Sequence, residues 1–459
     1  MGKLFLHAED DPGGEELAGR LSQLGFATGT RPGDARWDVL VRWGHLGGED
    51  NYPLVLNERQ ALEDLSSRVP ACLRANRVRV TSAMGGRGRY RVFACNLRSL
   101  AVYRRTARGY ARLRRRLARI RRRAVRSLHF LGLDFGAVDL TAGGYVCGVD
   151  PSPSLPSDLA GPFARALADM ANELEKLAQA RRAGDHRRSA VLGADPEFML
   201  ISRRTGRMVP ASIFFPRFGF VGCDERAVWT PRMRRALAEI RPRPRADPRE
   251  LAGAIRDGLR RALRRTARRR VMGVAGNMPV RGFPTGGHIH FSRCRLGSRF
   301  LRALDNYLAL LLLMVENAHT ARRRRRRYGY LADLRSKRHG FEYRTPGSWL
   351  VSQDVANGAL CLAKVIADDH DCLKAAPLRD PALVRAFYQC DKAILGRVVP
   401  SLWRDLTLAP SYPLYRQELE TFRTLIESGW EWGERSDLRR TWGLMPAAST
   451  RSRRRRRRR

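Results

Sequence analysis

Hydrophobic and polar residues alternate in a strand-and-helix rhythm over the first part of the chain. Short apolar runs such as KLFLHAE and WDVLVRWG flank the amphipathic segment GEELAGRLSQLG. This order of elements is typical of a small α/β layer. Residues 89–106 and 134–150 then have the pattern of two β-hairpins, the first turning near Asn96 and the second at Gly143-Gly144.

The longer helices are predicted by apolar residues that recur every three or four positions. These segments are 109–133, which is strongly basic, 158–188, 248–268, 297–320, 352–368 and 413–427. Between them, the second half has four strand-like runs, LGADPEFMLISR, LAEIRP, GGHIHFS and GFEYRT. The pattern predicts an α+β fold in four segments: 1–157, a helical linker 158–189, a large domain 190–440 and a tail 441–459.

Each of the four strand-like runs carries two polar residues at positions i and i+2, whose side chains share one face of a strand. The pairs are Asp195 with Glu197, Glu239 with Arg241, His288 with His290, and Glu342 with Arg344. One such pair is usually the exposed polar edge of a strand, and a surface ion pair contributes little. Four pairs in one domain, with Gly286-Gly287 before the histidines, indicate a site on one face of a sheet.

The chemistry of these pairs points to metal ions and phosphates. Carboxylates at such density repel one another unless cations neutralise them, and Mg²⁺ or Mn²⁺ suits carboxylate-rich sites. Arginines on the same face indicate that anions such as nucleotide phosphates complete the site. Metals, arginines and phosphates together are the components of ATP chemistry.

The runs GADPEF, EIRP, GGHIHF and FEYRTPGSWL, in this order, resemble the phage-type amidoligases, the COOH–NH2 ligases of type 2. That family lies in the glutamine synthetase and glutamate–cysteine ligase fold group. The resemblance covers about residues 190–440 and implies a glutamine-synthetase-like curved antiparallel sheet with flanking helices. It implies ATP-dependent joining of a carboxylate to an amine or ammonia through an acyl phosphate, on a peptide or protein substrate.

The resemblance also assigns roles to individual residues. It implies that two or three Mg²⁺ or Mn²⁺ ions are held by Asp195, Glu197, Glu239, His288 and Glu342. ATP is expected to contact His290, Arg241, Arg335 and Arg344, the third of which lies in the stretch YGYLADLRSK that the family shares. Glu197, Glu342 and Arg344 are the expected catalytic residues.

The first part of the chain resembles a different family. VRSLHFLGLDFGAVDLTAGGYVCGVD resembles the C-terminal part of an ATP-grasp domain, with Asp139 at a metal-ligand position and Arg91 at a phosphate-contacting one. Gly148 and Asp150 stand where that family has a ligating Glu and an Asn, and the ATP-clamping segment is reduced to TSAMGGRG. The resemblance implies a truncated α/β ATP-grasp-like domain that no longer catalyses and serves docking or structure.

The formal net charge is +42, and only six of the 87 basic residues are lysines. GC-rich codon use produces the same bias, so the charge permits polyanion binding without establishing it. The terminal RSRRRRRRR predicts a disordered polycation with non-specific nucleic-acid affinity. Arg322 to Arg326 either line the site or form a solvated helix face.

Two alternatives therefore stand beside the ligase. One is a nucleic-acid-binding phage protein built on an inactive ligase fold. The other is a phosphotransferase of the same fold group, which would share every metal residue and differ only in the acceptor.

The spacing of the cysteines and the length of the apolar runs indicate in which cellular compartment the protein is expected. Eight cysteines are scattered without a CxxC pair, which is typical of reduced thiols. The N-terminal residues lack signal-peptide anatomy, and the most apolar run, YLALLLLMVENAH, is too short to span a membrane. We expect a cytoplasmic protein, in the host cytoplasm if a phage encodes it, with no membrane partner.

Overall fold

The computed structural model describes residues 2–31, 37–44, 52–81, 88–107, 109–114, 117–182, 190–224, 227–228 and 234–445. Most of TSAMGGRG and the terminal arginine run lie outside the described residues. Within them, helices and strands are mixed, as the predicted α+β class requires. No helix in those residues combines the length and the apolar character that a membrane span needs.

Two sheets form before residue 190. The first is parallel, with strand order β2-β1-β3-β4, and comprises β1 (Lys3–His7), β2 (Phe26–Gly29), β3 (Val39–Trp43) and β4 (Leu54–Leu56). The second is antiparallel, with order β7-β6-β5-β8-β9, and comprises β5 (Tyr90–Cys95), β6 (Arg98–Thr106), β7 (Gly109–Arg112), β8 (Phe135–Leu140) and β9 (Val146–Asp150). The helices are α1 (Pro12–Ser22), α2 (Arg59–Leu62), α3 (Leu65–Ala75), α4 (Ala118–Phe130) and α5 (Ser157–Arg182).

The antiparallel sheet is buried on both faces because its apolar residues alternate. Phe93 and Phe135 face the core that contains α5 and the parallel sheet, whereas Val92 and Val138 face the core that contains α3 and α4. Both predicted hairpins are confirmed, with Asn96 in the left-handed conformation at the first turn. Helix α5 was expected to be a linker, but one side of it is buried in the first of these cores.

The basic helix predicted over 109–133 is wrong at its start. Residues Gly109–Arg112 are β7, which pairs with β6 in antiparallel register, and α4 begins only at Ala118. Pairing with a neighbouring strand outweighs the helix propensity of Ala111 and Arg112 there.

After residue 190 the described strands are all paired antiparallel. They are β10 (Val191–Ala194), β11 (Glu197–Ser202), β12 (Met208–Val209), β13 (Val221–Cys223), β14 (Ala227–Val228), β15 (Arg234–Arg235), β16 (Leu237–Ile240), β17 (Val271–Val274), β18 (Ile289–Ser292), β19 (Leu334–Lys337) and β20 (Gly340–Tyr343). One sheet has the order β10-β18-β20-β19, and another has β12-β11-β16-β13 with β17 also paired to β11. Strands β14 and β15 pair with each other.

Helices cover these sheets and form most of the remaining core. They are α6 (Pro248–Thr266), α7 (Ser298–Ala303), α8 (Leu310–Val315), α9 (Ala318–Arg325), α10 (Gln353–Asp369), α11 (Pro381–Gln389), α12 (Lys392–Gly396), α13 (Val399–Thr407), α14 (Arg416–Glu427) and α15 (Leu438–Thr441). The single helix predicted over 297–320 is interrupted, because residues Leu304–Ala309 form a π-helical turn and the chain becomes extended at Glu316.

The predicted strand containing Asp195 and Glu197 is divided. Strand β10 ends at Ala194 and belongs to the four-stranded sheet, whereas β11 begins at Glu197 in the five-stranded sheet. Pro196, which has no N–H to donate to a ladder, lies at the crossing. The four polar pairs are therefore shared between two sheets that meet at Asp195-Pro196, and do not lie on one.

Buried polar contacts join the two parts of the chain. The Asp134 carboxylate, at the start of β8, accepts from Arg302 Nη2 (2.6 Å) and Ser298 Oγ (2.5 Å). His129 Nε2 in α4 lies 3.0 Å from Asp305 Oδ2. The part before residue 190 is thus attached to the second part through charge-assisted contacts as well as apolar packing.

Candidate active site

Four side chains converge where the two sheets meet, and we call them the first cluster: Asp195, His288, His290 and Glu342. Asp195 Oδ1 lies 3.2 Å from both His288 Nδ1 and His290 Nε2, and Glu342 Oε1 lies 3.4 Å from His288 Nδ1. Strand pairing explains the proximity, since His290 on β18 is directly opposite Glu342 on β20. Burial by itself would raise the pKa of the Asp195 carboxyl group, but the two imidazoles outweigh burial and lower this pKa well below its usual value.

The donor atoms of the first cluster fit a divalent ion. Asp195 Oδ1, His288 Nδ1, His290 Nε2 and Glu342 Oε1 are all buried, and within the described part of the chain they lie 3.2 to 3.4 Å from ionisable neighbours without the alignment of a hydrogen bond. Atoms of Asp195, His290 and Glu342 also lie within 4.8 Å of one another. Buried polar atoms of this kind normally have partners, and carboxylate and imidazole donors suit Mn²⁺ or Mg²⁺.

A second cluster, Glu197, Glu239 and Asp224, lies on the five-stranded sheet. Glu197 on β11 is directly opposite Glu239 on β16, and ligand atoms of all three residues lie within 4.8 Å of one another. Glu197 also accepts a 2.8 Å hydrogen bond at Oε2 from the Gly286 backbone N–H. Three carboxylates with this spacing fit a second divalent ion.

The second cluster is crowded with negative charge. Burial and the neighbouring carboxylates of Asp195 and Glu197 raise the pKa of Glu239 to about 8, although Arg241 is in contact with it. The effect of Asp195 on Glu239 places the two clusters within electrostatic range of each other. A cation between these carboxylates would relieve the repulsion.

Three basic side chains surround the Glu342 carboxylate. Lys337 Nζ lies 2.8 Å from Oε2, Arg335 Nη1 lies 3.4 Å from the same oxygen, and Arg344 Nε lies 3.2 Å from Oε1. Glu342 is fully buried, whereas the three cations are partly exposed. The site therefore presents several cations around one carboxylate, which suits an anionic ligand.

Arg324 connects the loop before β18 to the loop after β20. This fully buried guanidinium donates to the carbonyl oxygens of Thr285 (2.8 Å), Thr345 (2.7 Å) and Pro346 (2.7 Å). Between the loops, a Cβ on Gly287 would collide with the Gly347 carbonyl oxygen and the Trp349 ring. Only glycine permits this close approach.

Tyr328 connects the first cluster to Arg344. Its hydroxyl contacts His288 Nε2 and accepts a 3.0 Å hydrogen bond from Arg344 Nη2. The same ring lies under the Arg324 guanidinium, with 4.7 Å from Cζ to the ring centroid. One aromatic side chain thus contacts an imidazole of the cluster and the guanidinium that neighbours Glu342.

The structure brings all the predicted site residues into these two clusters and their cations. Asp195, His288, His290, Glu342, Arg335 and Arg344 lie at the first cluster, and Glu197, Glu239 and Arg241 lie at the second. Their catalytic, metal-binding and ATP-binding roles stay predictions.

Three residues near the site were missed. Asp224 comes directly after β13, outside the four strand-like runs, and Lys337 lies outside the GFEYRT run. The run Arg322 to Arg326 is not a uniform solvated face, because Arg324 is buried. A useful signal for Lys337 was its position two residues after Arg335 on β19.

In the part that resembles an ATP-grasp domain, an arginine occupies the region of the expected metal ligands. Arg91 Nη1 lies 3.0 Å from Asp139 Oδ2, and Arg91 also contacts Asp150. Gly148 lies directly opposite Asp139 and offers no side-chain ligand. Candidate metal groups in the described residues occur only after residue 190.

Similarity to solved structures is low. The ATP-grasp ligase PsnB complexed with minimal precursor, Mg and ADP is 12% identical with a TM-score of 0.30, covering 38% of this chain and 98% of that one. A bifunctional glutathione synthetase from Pasteurella multocida is 10% identical with a TM-score of 0.33, covering 58% and 49%. A glutamine synthase homologue is 14% identical with a TM-score of 0.26, covering 55% and 74%. TM-scores of this size do not establish a common fold.

No curated protein sequence matches the chain. One family model does, the phage phiEco32-like COOH–NH2 ligase, type 2, and the match extends over residues 192–444. That range is more than half of the chain and contains both clusters. The chain therefore belongs to the phage phiEco32-like COOH–NH2 ligase family, type 2, and is an enzyme of the class that forms C–N bonds.

Proposed function

We propose that the protein is an ATP-dependent ligase that forms an amide from a carboxylate and an amine through an acyl phosphate. The observation that carries the proposal is the adjacency of two candidate metal-binding clusters and four cations, Arg241, Arg335, Lys337 and Arg344. The clusters hold five carboxylates, so two divalent ions together with the four basic side chains leave a positive surplus. A nucleoside triphosphate has the charge that balances this surplus.

Asp195, His290 and Glu342 would hold the first ion, with His288 as a further donor. For His288 Nδ1 to present a lone pair, the proton of the neutral ring must lie on Nε2, where the Tyr328 oxygen accepts it. Glu197, Glu239 and Asp224 would hold the second ion. When bound, the ions neutralise the charge that develops on the phosphates during transfer.

The reaction requires activation, because hydroxide is a poor leaving group and a carboxylate repels nucleophiles. The substrate carboxylate oxygen attacks the γ-phosphorus of ATP, and the bond to ADP breaks. The amine nitrogen then attacks the acyl carbon, and phosphate leaves with the proton that the amine loses. Arg344 and Arg335 orient and neutralise the transferred phosphoryl group, which is the role that planar guanidinium groups fill best.

The test measures ATP-dependent amide formation directly. The purified full chain is incubated with ATP, Mg²⁺ and pooled carboxylates and amines, and phosphate release and product mass are recorded. We expect phosphate release coupled to a condensed product, lost in Glu197→Gln and kept in Glu250→Gln, an exposed glutamate on α6. A phosphorylated acceptor without condensation would contradict the proposal and indicate a phosphotransferase.

A further inference from the structure

A large cleft lies behind the candidate active site, between the two parts of the chain. Its volume is about 1790 Å³, and α4 and α5 form one wall while β19 and β20 contribute to the other. Leu334 and Ser336 line it, whereas Arg335 and Lys337, which alternate with them on β19, face Glu342. We call this space the rear cleft, because it is on the opposite face of the sheet from the first cluster.

Six of the guanidinium groups that line the rear cleft have no carboxylate partner in the described part of the chain. Within the described residues, no ion pair within 4 Å is formed by Arg98, Arg121, Arg122, Arg126, Arg165 or Arg293. Most of the lining carboxylates are already engaged: Glu173 pairs with Arg295, Asp333 with Arg344, Asp368 with Lys364, and Asp369 accepts from Ser411. The available charge in the cleft is therefore positive.

Aliphatic side chains lie between these arginines. Leu97, Val125 and Leu296 are partly exposed there, and each also packs against the main core. Of the phenylalanine and tyrosine rings in the lining, only Tyr330 is partly exposed, because Phe300 and Phe341 are at most 1% exposed and Tyr415 is 7% exposed, so little surface is left for stacking. Single-stranded nucleic acids bind through stacking on exposed aromatic rings, whereas alternating cationic and aliphatic surfaces fit acidic peptides with apolar side chains.

We propose that the rear cleft binds an acidic peptide segment that carries aliphatic side chains. This inference rests on the proposed function in one respect, because it names that segment as part of the substrate of the ligase. Asp333 lines the cleft and lies 3.9 Å from Arg344, so it connects the cleft to the active-site face. Binding itself needs neither ATP nor metal and can be measured separately.

The experiment compares three fluorescent probes on the full chain in the presence of EDTA. They are a peptide of Glu and Leu residues, a peptide of equal length made of Glu and Ser residues, and an oligothymidylate with the same number of negative charges. Anisotropy is measured for the wild type, for Arg122→Glu/Arg165→Glu in the cleft, and for Arg204→Glu/Arg207→Glu on the exposed turn after β11. Both double variants change the net charge equally.

We expect the Glu–Leu peptide to bind most tightly. The cleft variant should weaken it about tenfold and the control variant less than about twofold, because only the cleft arginines contact the peptide. Metal-dependent turnover of small substrates should be the same in both variants, so a failure of ligase activity is distinguishable from a failure of docking. Equal weakening in both variants, tighter binding of oligothymidylate, or no peptide binding would each overturn the inference.

Discussion

Glu197 and Glu239 face each other directly across β11 and β16, and both carboxylates are buried. Like charges at directly opposed positions destabilise a sheet. Asp224 adds a third carboxylate to the same group. A cation bound between these carboxylates would stabilise them without protonation, so we expect the second cluster to report on metal binding.

The pH dependence of stability tests this relationship. In metal-free protein, Glu239 keeps its proton up to about pH 8, whereas in the unfolded chain it loses that proton near its ordinary pKa of 4.5. The unfolded state therefore binds fewer protons than the folded state over this pH range. As a result, the contribution of Glu239 to the free energy of unfolding decreases by roughly 2–4 kcal/mol as pH rises. Urea unfolding in EDTA at pH 5 and pH 9 should show this loss in the wild type.

Glu239→Gln should remove most of that loss, because glutamine does not ionise. Excess Mg²⁺ should reduce this pH-dependent loss of stability in the wild type, since the ion stabilises the ionised form of Glu239 relative to the protonated form. Parallel curves for the wild type and Glu239→Gln in EDTA would show that Glu239 ionises normally in the folded protein.

Asp224, which the sequence pattern did not single out, should contribute to metal affinity. Asp224→Asn is expected to weaken Mn²⁺ binding to the second cluster by about tenfold or more, because a charged oxygen ligand is replaced by a neutral one. Isothermal titration calorimetry measures this. Asp257→Asn is the control, since Asp257 is exposed on α6 and pairs with Arg260. Equal Mn²⁺ affinity in both variants would place Asp224 outside the metal site.

Arg324 should act as a positioning residue. Arg324→Lys retains the charge but loses the planar fork that binds three carbonyl oxygens, so we expect a loss of about 2–4 kcal/mol in the free energy of unfolding. Turnover should decrease as well, because the loops that carry His288 and Arg344 lose their common anchor. Arg322→Lys, on an exposed position of the same helix, should change neither quantity. Identical denaturation midpoints in the two variants would refute the anchoring role.

The ATP-grasp-like part should be catalytically silent. Asp139→Asn is expected to leave ligase turnover within about twofold of the wild type, because Arg91 already occupies the region between Asp139 and Asp150. Glu197→Gln, assayed in parallel, should reduce turnover about 100-fold or more. A comparable loss in Asp139→Asn would show that the first part of the chain takes part in catalysis.

Local pattern was sufficient to find most of the strands and pairs that build the site. Period-2 polarity in LAEIRP, GGHIHFS and GFEYRT identified Glu239, His290 and Glu342, and all three lie in antiparallel strands. Such prediction works because alternation along a strand is a property of the backbone itself and depends on no distant residue.

Long-range contacts decided the rest. The division between Asp195 and Glu197 depends on which strands β10 and β11 pair with, and those partners lie tens of residues away. Asp224 joins the second cluster only because β13 pairs with β16, and Arg324 is buried because the carbonyl groups of two separate loops converge on it. An arginine in an arginine-rich run has the same local pattern whether it is solvated or buried, since burial is determined by the groups that fold around it.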